Sequence, residues 1–135
     1  MIVVDTNVIA YLFLPSPQTV SAERLLEKDP EWSAPLLWRS ELRNVLAGVL
    51  RRGAADLATA FQIMTAAEEL LGGREFTVCS GDVLRRVEGS RCSAYDCEFV
   101  VLAEDLGVPL VTTDKQVLGA FPRVARSLVA FARMH

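Results

Sequence analysis

Two acidic residues follow apolar runs in a way that suits metal chemistry at the edge of a sheet. Asp5 directly follows Ile2–Val4, and Asp114 closely follows the run that ends at Thr112. Short apolar runs of this kind are typical of strands buried on both faces. Ligands of open α/β sheets bind outside the carboxyl ends of the strands. If the two strands are neighbours, we expect both carboxylates to open into the same crevice.

Two further acids lie on predicted helices. Glu41 falls at the margin of the apolar stripe of its helix, where acids are ordinary solvated residues. Asp96 instead heads an apolar face, because the residues three, four and seven positions later are Phe99, Val100 and Ala103. Ser93 would cap this helix, and the helix N-terminus favours an anion there by roughly 0.3–1 kcal/mol. That gain is smaller than the several kcal/mol that a poorly compensated buried charge costs, so we expect a cation near Asp96.

Each acid has an ordinary structural explanation when it is taken alone. Asp5 suits a turn or a cap, and Asp114 suits the cap of the short helix that follows it. Four converging carboxylates without a histidine or a paired lysine would repel one another. A hard divalent cation such as Mg²⁺ or Mn²⁺, which prefers oxygen ligands, removes that repulsion. His135 is the sole histidine, so histidine-based catalysis is nearly excluded and the four acids together predict a metal site.

The elements that must position these acids alternate in type. Strands are predicted over residues 2–4, 32–34, 76–78, 108–112 and 127–131. Helices are predicted over residues 8–14, 21–28, 35–52, 54–71, 93–106 and 115–118, and another, capped by Ser80 or Asp82, ends near residue 87. This alternation predicts the α/β class, with a mostly parallel central sheet flanked by helices in a single domain over residues 1–135.

Composition narrows the function classes. The net charge of −3 argues against coating nucleic acid by bulk electrostatics, although a nuclease can receive phosphate through a bound metal. Three cysteines without a Cys-x-x-Cys spacing argue against a disulfide framework or zinc site and favour small buried thiols. The apolar runs are too short to span a bilayer and no leader precedes the first strand, so we expect a cytoplasmic protein without a membrane partner.

The four acidic segments resemble, in order and spacing, the motifs of PIN-domain ribonucleases, and especially the small VapC-type toxins of toxin–antitoxin pairs. The segments are Ile-Val-Val-Asp-Thr-Asn at 2–7, Ser-Glu-Leu at 40–42, Ala-Tyr-Asp at 94–96 and Leu-Val-Thr-Thr-Asp at 110–114. The resemblance spans residues 1–118 and fits loosely over 72–91. Cys97 stands where this family commonly has a small residue such as alanine.

The resemblance implies an Mg²⁺- or Mn²⁺-dependent endoribonuclease that hydrolyses phosphodiester bonds in RNA. Its catalytic and metal-binding set would be Asp5, Glu41, Asp96 and Asp114, with Asn7 and Thr112 as accompanying polar positions. The metal would activate a water for attack, without a covalent nucleophile. Basic residues that could guide the RNA backbone, or simply be solvated, are Arg39, Arg43, Arg51, Arg52 and Lys115.

The resemblance also implies partners, namely a second copy of the chain and a cognate antitoxin. The apolar helices over residues 10–26 and 54–71 could provide the surfaces for both. A role in RNA processing instead of toxicity stays open.

Three other interpretations place acids at strand ends. A phosphoacceptor signalling domain needs a further acidic pair and a lysine at a later strand end, and neither is evident. A haloacid-dehalogenase-like phosphatase needs Asp-x-Asp where this chain has Asp5-Thr6-Asn7. A catalytically silent PIN-like module that binds protein or RNA is the strongest alternative, and the four intact acids disfavour it.

Overall fold

Five short strands form the centre of the molecule in the computed structural model, which describes residues 1–134. They are β1 (Ile2–Val4), β2 (Trp32–Pro35), β3 (Glu75–Phe76), β4 (Leu110–Thr112) and β5 (Ala125–Ser127). The order across the sheet is β3-β2-β1-β4-β5, and every pairing is parallel. The first and fourth strands are neighbours, which meets the condition for Asp5 and Asp114 to open into one crevice, and the sheet has the expected parallel character.

Eight helices connect and cover these strands within the described residues. They are α1 (Thr6–Phe13), α2 (Thr19–Lys28), α3 (Leu37–Arg51), α4 (Leu57–Leu71), α5 (Ser80–Glu88), α6 (Ala94–Leu106), α7 (Lys115–Ala120) and α8 (Leu128–Arg133). The central helix α6 packs against β1, β2 and β4, whereas α3 and α4 pack against β2. Parallel strands need such crossovers, which explains why helices alternate with strands along the chain.

The core is centred on β1 and on α6, which packs against it. All three residues of β1 are buried, as their β-branched, continuously apolar sequence indicates. The α6 face that contains Phe99, Val100 and Ala103 is buried as well. Gly107 ends α6 with a φ of 66°, a left-handed conformation that glycine adopts without a Cβ penalty.

The structure corrects two boundaries that the sequence predicts differently. Pro35 is the last residue of β2, paired with Phe76, and not the first turn of the following helix. Its missing N–H is tolerated because a strand end needs fewer ladder hydrogen bonds. The third strand ends at Phe76, so residues 77 and 78 of the predicted strand lie outside it.

The strand predicted over residues 127–131 is wrong. Ser127 is the last residue of β5, and the next six residues form α8. The Ser127 hydroxyl accepts a hydrogen bond from the Ala130 N–H at 3.4 Å, so the serine caps the helix. Neither Ser80 nor Asp82 is the N-cap of α5, because Cys79 occupies that position without a side-chain hydrogen bond.

The three cysteines are free thiols, with Cys92 and Cys97 buried and Cys79 exposed. The prediction of buried thiols is thus confirmed for two of them and wrong for Cys79. Within residues 1–134, no helix combines the length and the apolar character that crossing a membrane requires.

Candidate active site

A cleft of about 440 Å³ opens at the carboxyl edge of the sheet. All four predicted acids line it together with Asn7, although they lie far apart in the sequence. The complete lining is Asp5, Thr6, Asn7, Leu37, Ser40, Glu41, Asn44, Val45, Tyr95, Asp96 and Asp114. The structure therefore brings the predicted acidic set into one cavity. Thr112, the sixth predicted residue, is buried beneath the cleft with 1% of its surface exposed.

The pairing of β1 with β4 holds Asp5 in place. Val4 pairs with Val111, so the next residues along the two strands, Asp5 and Thr112, lie side by side. The Asp5 N–H donates to the Val111 carbonyl at 3.1 Å. The Thr112 hydroxyl donates to Asp5 Oδ2 at 2.8 Å. Backbone and side chain together fix the direction of this carboxylate.

Glu41 is held by a residue that the sequence interpretation did not single out. Thr6 is 3% exposed, and its hydroxyl donates to Glu41 Oε1 at 2.7 Å. The contact joins the first turn of α1 to α3, which pack against each other. Thr6 lies between Asp5 and Asn7, so its place inside the first motif was the available signal. Glu41 thus has a fixed direction into the cleft instead of the solvated position that its helix margin suggests.

Asp96 lies in the first turn of α6, where Ser93 caps the helix. The Ser93 hydroxyl accepts from the Asp96 N–H at 3.0 Å. Asp96 and Asp5 also share a second, much smaller cavity of about 10 Å³ that includes Thr112. The two carboxylates therefore face the same interior space, as the apolar face that follows Asp96 predicts.

Asp114 combines the two roles that the sequence leaves open. Its Oδ1 accepts from the N–H groups of Gln116 and Val117 at 2.8 and 3.1 Å, so it caps α7. Its side chain also lines the cleft. The Asp114 N–H donates to the Thr112 hydroxyl at 3.0 Å, which makes Thr112 a bridge between Asp114 and Asp5.

Burial raises the pKa of two of the cleft acids above their ordinary values. For Asp5, desolvation has the largest effect on the pKa, the Thr112 hydrogen bond opposes it, and the charge of Asp96 adds to the rise. For Glu41, desolvation again has the largest effect on the pKa, opposed by Thr6 and reinforced by Asp5 and Asp96. Both groups therefore hold their protons more tightly than in water, and a nearby cation would favour their ionised forms.

The donor set of the cleft fits a hard divalent cation in its chemistry. It offers four carboxylates, and the residues in 1–134 that line it include no lysine or arginine. Mg²⁺ and Mn²⁺ take oxygen ligands of this type. No three His, Cys, Asp or Glu side chains in the described part of the chain already stand close enough to hold one ion. Binding would therefore draw the carboxylates closer together, which their mutual repulsion opposes without an ion.

Other lining residues were missed by the sequence interpretation. Ser40 and Asn44 flank Glu41 on α3, and Tyr95 precedes Asp96 with 61% of its surface exposed. Their closeness in sequence to the predicted acids was the available signal. Arg39, predicted as one possible guide for RNA, instead pairs with Glu75 at 2.7 Å and with Glu68. Those ion pairs tie α3 to α4 and β3.

The PIN domain family model matches residues 2–127, nearly the whole chain. The chain belongs to the PIN-domain family. A relative, Ribonuclease VapC3 of Pyrobaculum aerophilum, is 28% identical over 124 residues, covering 90% of this chain and 95% of the relative.

Solved structures share the PIN fold. The structure of PAE2754 from Pyrobaculum aerophilum has a TM-score of 0.76 at 20% identity, covering 96% of this chain and 92% of that one. A toxin–antitoxin complex from Klebsiella pneumoniae has a TM-score of 0.68 at 17% identity, covering 95% and 98% respectively. At these identities the structural likeness concerns the fold, which agrees with the α/β class predicted from the sequence.

Proposed function

We propose that this PIN-domain protein is an endoribonuclease that hydrolyses phosphodiester bonds in RNA with Mg²⁺ or Mn²⁺. We further propose that it is the toxin of a type II toxin–antitoxin pair. The name of the relative from Pyrobaculum aerophilum supports the first statement, and the toxin–antitoxin neighbour from Klebsiella pneumoniae supports the second. We propose residues 1–135 as a single nuclease domain that works in the cytoplasm.

One observation supports the activity most strongly. Carboxylates from four separate places in the chain line a single cleft that has no basic residue in its described lining. A structural role explains Asp114 in part, since its side chain caps α7. Asp5 occupies the N-cap position of α1 without a side-chain cap hydrogen bond, and Glu41 lies inside α3. Both have a raised pKa because they are partly desolvated beside other acids. Perturbed acids gathered in a cleft favour a functional site over an accidental arrangement.

In this proposed reaction the residues of the chain position the cation and the phosphate. Asp5, Glu41, Asp96 and Asp114 would hold the cation, which supplies a water of lowered pKa and stabilises charge on the phosphate. Thr112 and Thr6 fix the directions of Asp5 and Glu41 through hydrogen bonds of 2.8 and 2.7 Å. Asn7 lines the cleft and can donate to a phosphate oxygen.

The proposed partners are an RNA substrate, a cognate antitoxin and a second copy of the chain. In the first of the two helical regions predicted as partner surfaces, Val20 is exposed at 58%. In the second, α4 exposes two apolar side chains, Leu57 and Phe61, at 56% and 63%. They are four residues apart and so lie on one face of the helix. We assign the self-association of the proposed homodimer to this face.

Purified protein, freed of any co-purified inhibitor, tests the activity on a mixed RNA pool with Mg²⁺, Mn²⁺ or EDTA. Internal cuts that appear with either metal and disappear with EDTA support the proposal. A folded protein that cuts under none of these conditions favours the catalytically silent binding module.

A further inference from the structure

A second cavity, of about 540 Å³, lies beside the acidic cleft. We call it the side pocket and define it by Leu36, Phe76, Val78, Leu84, Glu98 and the other residues of its lining, Thr77, Ser80, Val83 and Ala94. Its volume is within the roughly 300–1,000 Å³ typical of small-ligand sites. The walls are mostly apolar, and Glu98 is the one carboxylate among them.

The side pocket continues from the cleft along two helices. At the start of α3, Leu36 lines the side pocket and Leu37 lines the cleft. At the start of α6, Ala94 lines the side pocket and Tyr95 lines the cleft. A chain whose phosphate lay among the four acids could therefore extend directly into the side pocket.

Helix geometry places Tyr95 between the two cavities. At about 100° per residue, Tyr95 lies roughly 60° from Glu98 and roughly 100° from Asp96 around α6. Asp96 faces the cleft and Glu98 faces the side pocket, with the Tyr95 side chain on the arc between them. With 61% of its surface exposed, the Tyr95 ring is accessible for stacking.

The Glu98 carboxylate is partly buried and has no donor among its neighbours. Among the described residues 1–134, neither a hydrogen-bond donor nor an opposite charge offsets the burial of the Glu98 carboxylate, and Glu41 is a like-charged neighbour. A carboxylate in an apolar cavity gains most from a ligand that brings N–H donors with it. The surrounding apolar walls suit the flat faces of a ring.

We propose that the side pocket binds a guanine base of the RNA substrate. Glu98 accepts hydrogen bonds from the base N1–H and the exocyclic amino group, and the Tyr95 ring stacks at the entrance. This inference rests on the proposed ribonuclease function and deepens it, because it assigns the base that the nuclease selects near the cleaved bond.

Guanine is the base whose Watson–Crick edge fits two carboxylate oxygens. It presents two adjacent donors, whereas adenine and cytosine present a donor beside an acceptor and uracil presents one donor between two acceptors. Single-stranded RNA is commonly recognised in this way, by stacking on aromatic side chains and hydrogen bonds to the Watson–Crick edge. A mismatched base would leave the partly buried carboxylate facing an acceptor, which is a strong basis for rejection.

The experiment compares cleavage of uridine-rich oligonucleotides that contain a single guanine, hypoxanthine or adenine. We expect kcat/KM to be at least about tenfold higher for guanine than for adenine, with hypoxanthine between them because it lacks the amino donor. In Glu98→Gln the guanine-to-adenine ratio should fall at least about tenfold, since an amide offers one donor and one acceptor that match adenine. Asp105→Asn removes an exposed acid from the same helix and is the matched control.

If the wild-type protein cleaves with metal but without a preference for guanine, and Glu98→Gln leaves its cleavage unchanged, this inference is overturned. That result leaves the ribonuclease proposal standing. Absence of cleavage of every RNA would count against the proposed function. The inference about the side pocket is then tested by measuring the affinity for short oligonucleotides. Fluorescent tetranucleotides with guanine or adenine are titrated against Asp5→Asn and against Asp5→Asn with Glu98→Gln. Equal affinities for the guanine and adenine tetranucleotides in both proteins overturn the inference. A preference for guanine that is lost when Glu98 is replaced supports it.

A protein ligand is the competing occupant of the side pocket. A peptide with apolar and arginine residues could also pair with Glu98 and cover the same walls. Such a peptide would have to bind the wild-type protein and lose at least about tenfold in affinity in Glu98→Gln. If the protein also shows no preference for guanine over adenine in the cleavage and binding assays, the side pocket is a protein-docking site and the inference is overturned.

Discussion

Thr112 donates a hydrogen bond to Asp5 across 2.8 Å, and this contact joins β4 to β1 at the edge where the cleft opens. The same hydroxyl accepts from the Asp114 N–H at 3.0 Å. One buried side chain thus connects the first acid of the chain with the last. The positions of two proposed metal ligands therefore depend on the register of a strand pair rather than on flexible loops.

Thr112→Val should weaken both stability and activity. Valine keeps the β-branched shape but removes the donor to Asp5 and the acceptor for the Asp114 N–H. Loss of a hydrogen bond to a charged group lowers the free energy of unfolding by about 1.5–3 kcal/mol, and we expect kcat/KM to fall at least about tenfold as the carboxylate loses its orientation.

Urea denaturation and RNA cleavage measure the two effects. Thr112→Ser, which keeps the hydroxyl, should retain most of the activity. Equal activity of the valine and serine variants would show that this hydrogen bond does not position Asp5.

Asp5→Asn should stabilise the metal-free protein at neutral pH, because the neutral amide removes a charge that is costly to bury. Burial raises the pKa of Asp5 above 3.8, so the folded state binds its proton more tightly than the unfolded state does. The stability from this group is present below pH 3.8 and is lost as the pH rises through the raised folded pKa.

The free energy of unfolding of the wild-type protein in EDTA, measured from pH 3.5 upward, should therefore contain a falling component that Asp5→Asn reduces. Glu41 contributes in the same direction, because burial raises its pKa above 4.5. A variant that is less stable than wild type at neutral pH in EDTA would contradict the idea that ionised Asp5 is unfavourable without a cation.

Mn²⁺ or Mg²⁺ should raise the melting temperature of the wild-type protein. A ligand that binds only the folded state at 100 times its Kd adds about 2.7 kcal/mol to the free energy of unfolding. Thermal unfolding over a metal titration measures the shift, and combining Asp5→Asn with Asp96→Asn should abolish it. A shift that persists in the double variant would place the ion outside the acidic cleft.

Phe61→Glu should convert the proposed homodimer into a monomer. The Phe61 ring is 63% exposed on α4, and a charge there would be desolvated in a self-association interface. Light scattering after gel filtration measures the mass. Val129→Glu, which changes a side chain that is 39% exposed on α8, should leave the dimer intact. A Phe61→Glu dimer would exclude this α4 face as the interface.

The sequence predicts the elements of the fold and the identity of the cleft acids better than it predicts their contacts. Apolar runs and caps located β1 and α6, because burial and capping are local properties of the chain. The strand predicted over residues 127–131 is wrong because its apolar residues suit a strand or a helix equally. The cap at Ser127 favours the helix that the structure shows. The Thr6–Glu41 and Thr112–Asp5 contacts arise from packing between elements distant in sequence, which no local pattern contains.

We infer that one acidic cleft cuts RNA with a divalent cation. The most direct measurement is cleavage of one RNA pool by wild type, Asp5→Asn, Asp96→Asn and the exposed control Asp105→Asn, each with Mn²⁺, Mg²⁺ or EDTA. We predict metal-dependent cleavage by wild type and Asp105→Asn, and a loss of at least about 100-fold in both cleft variants. Cleavage that persists in Asp5→Asn and Asp96→Asn would contradict the claim.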